Sequence, residues 1–339
     1  MSEQRLETQA SKAEEPSSSI ESVYELVAVD FNAVNCLIPK QLTSDTGLVE
    51  EIGQYITQSG GKRLRPLLVL LSANCLGYSG PDHVKLAAVI EFLHTATLLH
   101  DDVVDSSFLR RGRATANSLW GNPPSVLVGD FLYSRAFQMM VELKNMQIME
   151  ILSHATNIIA EGEVAQLSNI GDINLSESAY FEVIRCKTAM LFKAASHSAG
   201  VLSTDNNQHI KALEAYGLSL GLAYQLVDDW LDYAGDQQKM GKNIGDDLAE
   251  GKMTLPLIYA VKQGSAEDAK IVGEAIREQS SNNINRILNI VKNSGALDYT
   301  KSCAEHHARC ATEHLSALPS NAYRNALTSL ARFAVSRLG

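Results

Sequence analysis

Apolar residues recur along this chain at three- and four-residue intervals, and that spacing commits it to helices. The stretch HVKLAAVIEFLHTATLLHDD places Leu86, Val89, Ile90, Leu93 and Thr97 on one stripe, the period of an α-helix and not of a strand. The same period recurs over 126–142, 147–168, 178–201, 208–233, 253–263, 284–293 and 295–316. No Val/Ile/Thr-rich run alternates apolar with polar residues between turns, so no sheet is expected. With 45% of its 339 residues hydrophobic, the chain can bury a large core. No linker divides it. Residues 1–20, polar and rich in Ser and Glu, predict a disordered tail, and 21–339 a single all-α bundle enclosing a central cavity, with functional loops at one end.

Charge and cysteine usage exclude several classes. A net charge of −10 argues against a general nucleic-acid binder, so a polyanionic ligand would need local cations or metal. The five cysteines are odd in number and scattered, which does not build a disulfide framework. CAEHHARC, with Cys303, His306, His307 and Cys310, has no familiar zinc spacing and reads as a structural helix segment. The longest apolar run, PLLVLLSANCLG, falls short of the roughly 20 residues that span a bilayer. No apolar signal core opens the chain. The expected location is the cytoplasm.

Three turn-rich stretches break the helical pattern: SGGKRLRP (59–66), SSFLRRGRATANSLWGNPP (106–124) and AGDQQKMGKNIGDDLAEGK (234–252). All three carry basic residues. Beside them stand two acidic clusters of one form, DDVVD (Asp101, Asp102, Asp105) and DDWLD (Asp228, Asp229, Asp232). On a helix, positions i and i+4 share a face, so Asp101 stands over Asp105 and Asp228 over Asp232. His94 and Gln225 extend the same stripes. Like charges at this spacing repel, and a counter-charge is required. A single such cluster is usually a solvated face. Two, each following an apolar run, point instead to the mouth of a core.

Hard oxygen donors without a His/Cys set suit Mg²⁺, an ion commonly shared with substrate phosphates. Arginine makes bidentate contacts to phosphate oxygens, so adjacent Arg110 and Arg111 can serve different phosphate groups. Lys62, Arg63 and Arg65 sit on a Gly-Gly turn, and Lys187, Lys242 and Lys252 lie near the other clusters. Together these residues describe a site for two diphosphates. No Ser/His/Asp or Cys/His arrangement, P-loop or GxGxxG is evident.

The assembled motifs, GKRLRP, HxxxLLHDDVVD, RRG, KT, QLVDDWLD and GK…EGKMTLP, occur in an order that resembles the trans-prenyl diphosphate synthases, in particular the bacterial long-chain synthases, over about residues 21–339. The resemblance implies the isoprenoid-synthase bundle, usually a homodimer, with two to three Mg²⁺ per active site. It assigns Asp101, Asp102, Asp105, Asp228, Asp229 and Asp232 to the metal, and Arg110 to the allylic diphosphate. Lys62, Arg65, His94 and Arg111 match the isopentenyl diphosphate site, with Arg63 beside them. Lys187, Thr188, Gln225, Lys242 and Lys252 match positions near the allylic diphosphate and the developing cation.

The implied reaction ionises an allylic diphosphate, farnesyl diphosphate for example. The alkene of isopentenyl diphosphate then attacks, and a proton is lost. An eight-unit product for quinone side chains, partitioning to the membrane, is the expectation; a shorter-chain synthase or a subunit of a heteromeric one is the alternative. Terpene cyclases and head-to-head synthases fit less well, because both motifs are DDxxD and the basic loop implies a second diphosphate. Relatives making short products carry bulky aromatics four or five residues before the first motif. Here those positions are Thr97 and Ala96, so the path for a growing chain is expected to stay open, with its floor deeper, at residues such as Phe131, Tyr133 or Phe137.

Overall fold

A computed structural model describes residues 20–234 and 244–338. Its helices in chain order are α1 (Ile20–Leu26), α2 (Ala28–Gln41), α3 (Gly47–Gln58), α4 (Leu64–Cys75), α5 (Asp82–Val104), α6 (Ala116–Trp120), α7 (Asn122–Glu142), α8 (Met146–Ser168), α9 (Glu177–Ile184), α10 (Met190–Ser203) and α11 (Asn207–Ala234). A short helix, Asp246–Ala249, follows. The longer helices Leu255–Gln263, Ala266–Glu278, Ile284–Asn293, Ala296–His314 and Ala322–Val335 complete the fold. The chain is all-α, as its periodicity requires. Residues 1–19 and Lys242 lie outside the described residues, and the first helix opens at Ile20, the last position of the expected tail.

The apolar stripe of α5 explains its place. Leu86, Val89, Ile90 and Leu93 are all buried, and the helix packs on α7, α4 and α2. α11 is held between α10 and Ala296–His314. One large core gathers the faces of α2, α4, α5, α7, α8 and α10. A second forms where the lower half of α11 meets the helices between 246 and 304. CAEHHARC lies within Ala296–His314, with Ala304 and Ala308 buried, in line with a structural segment.

The expectation of no sheet needs one small correction. Leu109–Arg110 and Arg113–Ala114 pair antiparallel. Arg111 and Gly112 form the connecting turn with φ of 53° and 75°, and paired positive φ values give the two-residue turn that matches strand twist. RRGR supplies such a turn, but two-residue strands are too short to show alternation. Inside the stretch read as one helix over 178–201, a π turn at Arg185–Ala189 separates α9 from α10.

Candidate active site

Both aspartate clusters sit at the carboxyl end of a helix. Asp105 caps α5, its N–H bonded to the Asp101 carbonyl, and Asp228, Asp229 and Asp232 occupy the last turns of α11. A helix C-terminus carries partial negative charge and disfavours anions. Solvent relieves only part of each cluster: Asp102 is 1%, Asp229 3% and Asp232 8% exposed, while the Asp228 side chain is 38% exposed. The clusters are therefore built for cations.

Each cluster already engages some. Asp102 Oδ1 accepts from Arg110 Nε at 2.8 Å, with Nη2 at 2.7 Å. Its Oδ2 is buried with no hydrogen-bond partner, a lone pair open to a further cation. Asp105 Oδ1 accepts from Lys252 Nζ at 3.2 Å. Asp228 Oδ1 accepts from Arg337 at 3.1 Å. Asp229 accepts from Gln225 Nε2 at 2.7 Å and from the Tyr180 hydroxyl. The carboxylate oxygens of Asp232 take the backbone N–H groups of Asp246 and Asp247.

These contacts leave excess negative charge. Burial pushes the Asp101 carboxyl up to about 7, with Lys187 opposing and Glu163 and Asp105 adding to the rise. Asp229 is pushed up to about 8 by burial and by Asp247, against hydrogen bonds from Tyr180 and Gln225. Asp232 rises to about 9, from burial and then from Asp247. Near neutral pH a nearby cation favours the ionised form of such groups. The donors are hard oxygens, which fits Mg²⁺. Among the described residues no three acidic, His or Cys side chains converge enough to hold an ion alone, so diphosphate oxygens would have to complete its shell.

The two clusters are linked through the π turn. Lys187 Nζ donates to Glu163 of α8 at 2.7 Å, beside Asp101. Its neighbour Thr188 donates to Gln225 Oε1 at 2.6 Å, and Gln225 donates onward to Asp229. The wider π turn sets Lys187 and Thr188 toward opposite clusters. Lys252, also bound to Glu250 at 2.6 Å, joins the second half of the molecule to the first motif. Burial works against its charge, but Glu250 and Asp105 outweigh burial and raise its pKa. A cleft open to solvent is lined by Tyr180, Lys187, Thr188, Gln225, Asp229 and Lys252 among others.

The basic loop packs against Arg111 and His94. Arg111 donates to the Gly60 carbonyl. A Cβ on Gly61 would lie 2.2 Å from that guanidinium, and φ there is +133°, so the Gly-Gly turn is what lets the arginine cross. Arg65 stacks on the Phe192 ring at 4.3 Å, and its Nη1 lies 3.2 Å from His94 Nε2. Burial and the charges of Arg65, Arg111 and Arg110 hold His94 well below its usual range, so it accepts as a neutral ring. Lys62 lies 4.4 Å over Phe333. Burial lowers its pKa, and Arg337 lowers it further. Arg63 adopts φ 44° and bonds Asn35 and the Thr57 carbonyl.

Sequence reading missed Glu163, Gln166, Tyr180, Asp247 and Arg337, all of which touch or line this site. All but Asp247, which sits within the 234–252 stretch, lie outside any recognisable motif. Ala96 is fully buried and Thr97 partly exposed; neither lines the cleft described above.

A bundle that is helical apart from one small hairpin, with an aspartate cluster at the end of each of two helices, has the isoprenoid-synthase type of fold. The chain belongs to the polyprenyl synthetase family, whose model matches residues 46–293. It is 48% identical to the octaprenyl diphosphate synthase of Escherichia coli strain K12 over 320 residues, 94% of this chain and 99% of that one. Identity to an all-trans-nonaprenyl-diphosphate synthase of Rhodobacter capsulatus is 43%, over 92% of this chain and 96% of that one. A crystal structure of polyprenyl synthase from Caulobacter crescentus CB15, complexed with calcium and isoprenyl diphosphate, superposes with a TM-score of 0.92 at 45% identity, covering 96% of this chain and 100% of that one.

Proposed function

We propose that this protein is a long-chain trans-polyprenyl diphosphate synthase, with an eight-unit product favoured. It adds isopentenyl diphosphate units to an allylic primer such as farnesyl diphosphate. The observation that carries this reading is the pairing of two buried aspartate clusters with two separate cationic sets: Arg110, Lys187 and Lys252 on one flank, Lys62, Arg65 and Arg111 on the other. Such an arrangement holds two diphosphates at once and orients one substrate's alkene toward the other's carbon.

Asp101, Asp102, Asp105, Asp228, Asp229 and Asp232 would hold two to three Mg²⁺, which supply the charge neutralisation that lets the allylic C–O bond ionise. Arg110, Lys187 and Lys252 add fixed positive charge where the leaving diphosphate develops its own. Thr188 and Gln225 present oxygen dipoles toward the developing cation, and apolar walls such as Ile184 exclude water. The neutral His94 fixes Arg65 on the second diphosphate. No side chain is needed as base, because the released diphosphate can take the proton.

A homodimer fits Leu127 and Val141 of α7 and Val164 of α8, each about two-thirds exposed. No helix among the described residues is long and apolar enough to cross a membrane. A cytoplasmic enzyme delivering its product to a membrane for quinone side chains fits both features. Incubation with labelled isopentenyl diphosphate, farnesyl diphosphate and Mg²⁺, followed by product chromatography, tests the reading. Products of seven to ten units are expected. Cyclic hydrocarbons, or no product from the chain by itself, would overturn it.

A further inference from the structure

Behind the basic loop lies a carboxylate that none of the motifs contains. Glu91 of α5 is three residues before His94, and its side chain is 13% exposed. Its Oε1 is 3.7 Å from Arg63 Nε, while Oε2 is buried with no hydrogen-bond partner. Burial drives the carboxyl upward, and Arg63, Arg65 and Arg111 pull it back down. A buried carboxylate without a full set of hydrogen bonds is costly to keep, and its surroundings say what keeps it.

Lys62, Arg63, Arg65 and Arg111 repel one another when no diphosphate is present. Their hydrogen-bond and ring partners are neutral: Asn35 and the Thr57 carbonyl for Arg63, the Gly60 carbonyl for Arg111, and the Phe192 face and neutral His94 for Arg65; from the other side, the Asp228 charge also acts on Lys62 and Arg65. Arg63 also holds left-handed backbone at the head of α4, a conformation a non-glycine residue keeps only when its surroundings enforce it. The ion pair with Glu91 and the two hydrogen bonds of its guanidinium provide that enforcement.

Resting on the reading of this flank as the isopentenyl diphosphate site, we propose that Glu91 is the positioning residue of that site. Through Arg63 it fixes the start of α4, and its charge holds Arg65 and Arg111 together before substrate arrives. Glu91 itself faces the arginines from behind and does not touch the diphosphate.

Glu91→Gln, Glu91→Asp and Arg63→Gln, each alone, and Glu91→Gln combined with Arg63→Gln test this. Wild-type elongation is measured first, and its absence would sink the site reading rather than the role of Glu91. Given wild-type elongation, both Glu91 variants should keep their far-ultraviolet helical signal and raise KM for isopentenyl diphosphate tenfold or more. KM for farnesyl diphosphate should stay within twofold. Calorimetric affinity for isopentenyl diphosphate should weaken in parallel, and the double variant should be no worse than its more affected single parent. An unchanged KM for isopentenyl diphosphate, an equal rise for both substrates, loss of helical signal in both variants, or additive effects in the double variant would each overturn the proposal.

Discussion

Asp102 and Asp229 are almost without solvent, yet each keeps charged or polar partners on one side and spare negative charge on the other. Replacing Asp101 or Asp228 with Asn would remove one proposed metal ligand and one like-charge repulsion together. Turnover should fall by orders of magnitude while the melting temperature holds or rises, and near-normal turnover would count against the metal role. The raised carboxyls also give a signed pH effect. Unfolded aspartates titrate near 3.9, whereas Asp229 and Asp232 do so at about 8 and about 9 in the fold. Between those limits the native chain holds protons that the unfolded chain has lost, so their contribution to stability declines as pH rises from about 4 to about 9. In chelator, Asp232→Asn should therefore gain melting temperature over wild type at pH 9 and much less at pH 6. A gap independent of pH would refute the assignment. The neighbouring arginines divide differently. Arg110 is tied to Asp102, and Arg111 crosses to the basic loop. Arg111→Ala should raise KM for isopentenyl diphosphate, and Arg110→Ala that for the primer. Each lost charged contact is worth about 1.5–3 kcal/mol, roughly ten- to hundredfold, and steady-state kinetics with each substrate varied separate the two.

Helices were readable because a buried stripe must repeat with the helical period, and α5 and α11 show it up to their acidic ends. The carboxylate clusters were readable for a related reason: one spacing occurs twice, each time after an apolar run. What periodicity cannot carry is a change of winding. The π turn at Arg185–Ala189 leaves the apolar pattern of 178–201 intact, yet it sets where Lys187 and Thr188 point. Tyr180, Glu163 and Arg337 were hidden because a hydrogen bond between distant segments leaves no trace in local sequence. The Gly-Gly turn lies between these cases. Its flexibility was evident, but the need for a hydrogen in place of Cβ at Gly61 depends on Arg111 lying against it. Gly61→Ala would place a methyl against that guanidinium in backbone that alanine resists. Weaker isopentenyl diphosphate binding is expected, with primer affinity within twofold, read by calorimetry on each substrate. Equal loss for both would mean the turn serves the whole site.

At the scale of the molecule, the bundle has to accommodate a product that lengthens while both diphosphates stay at the helix ends. On the proposed reading, the growing tail would run from the end of α5 toward its start, about 1.5 Å per residue. Thr97 lies one turn below Asp101 on the same face, partly exposed, whereas Ala96 is fully buried against the core. Beyond them Phe131, Tyr133 and Phe137 of α7 are partly buried against the main core, with the Tyr133 and Phe137 rings 5.1 Å apart. A tyrosine at either α5 position should close the path early, but the two substitutions differ physically. Ala96→Tyr overpacks a filled site at about 1–3 kcal/mol, so shortening should come with a lower melting temperature. Thr97→Tyr occupies the face shared with Asp101 and should shorten the product to three or four units with little loss of stability. The first condensation should proceed in both, because neither position holds a diphosphate. Chromatography of the products and a thermal melt of each variant decide the matter. If Thr97→Tyr still makes wild-type lengths, the tail does not pass along this face of α5.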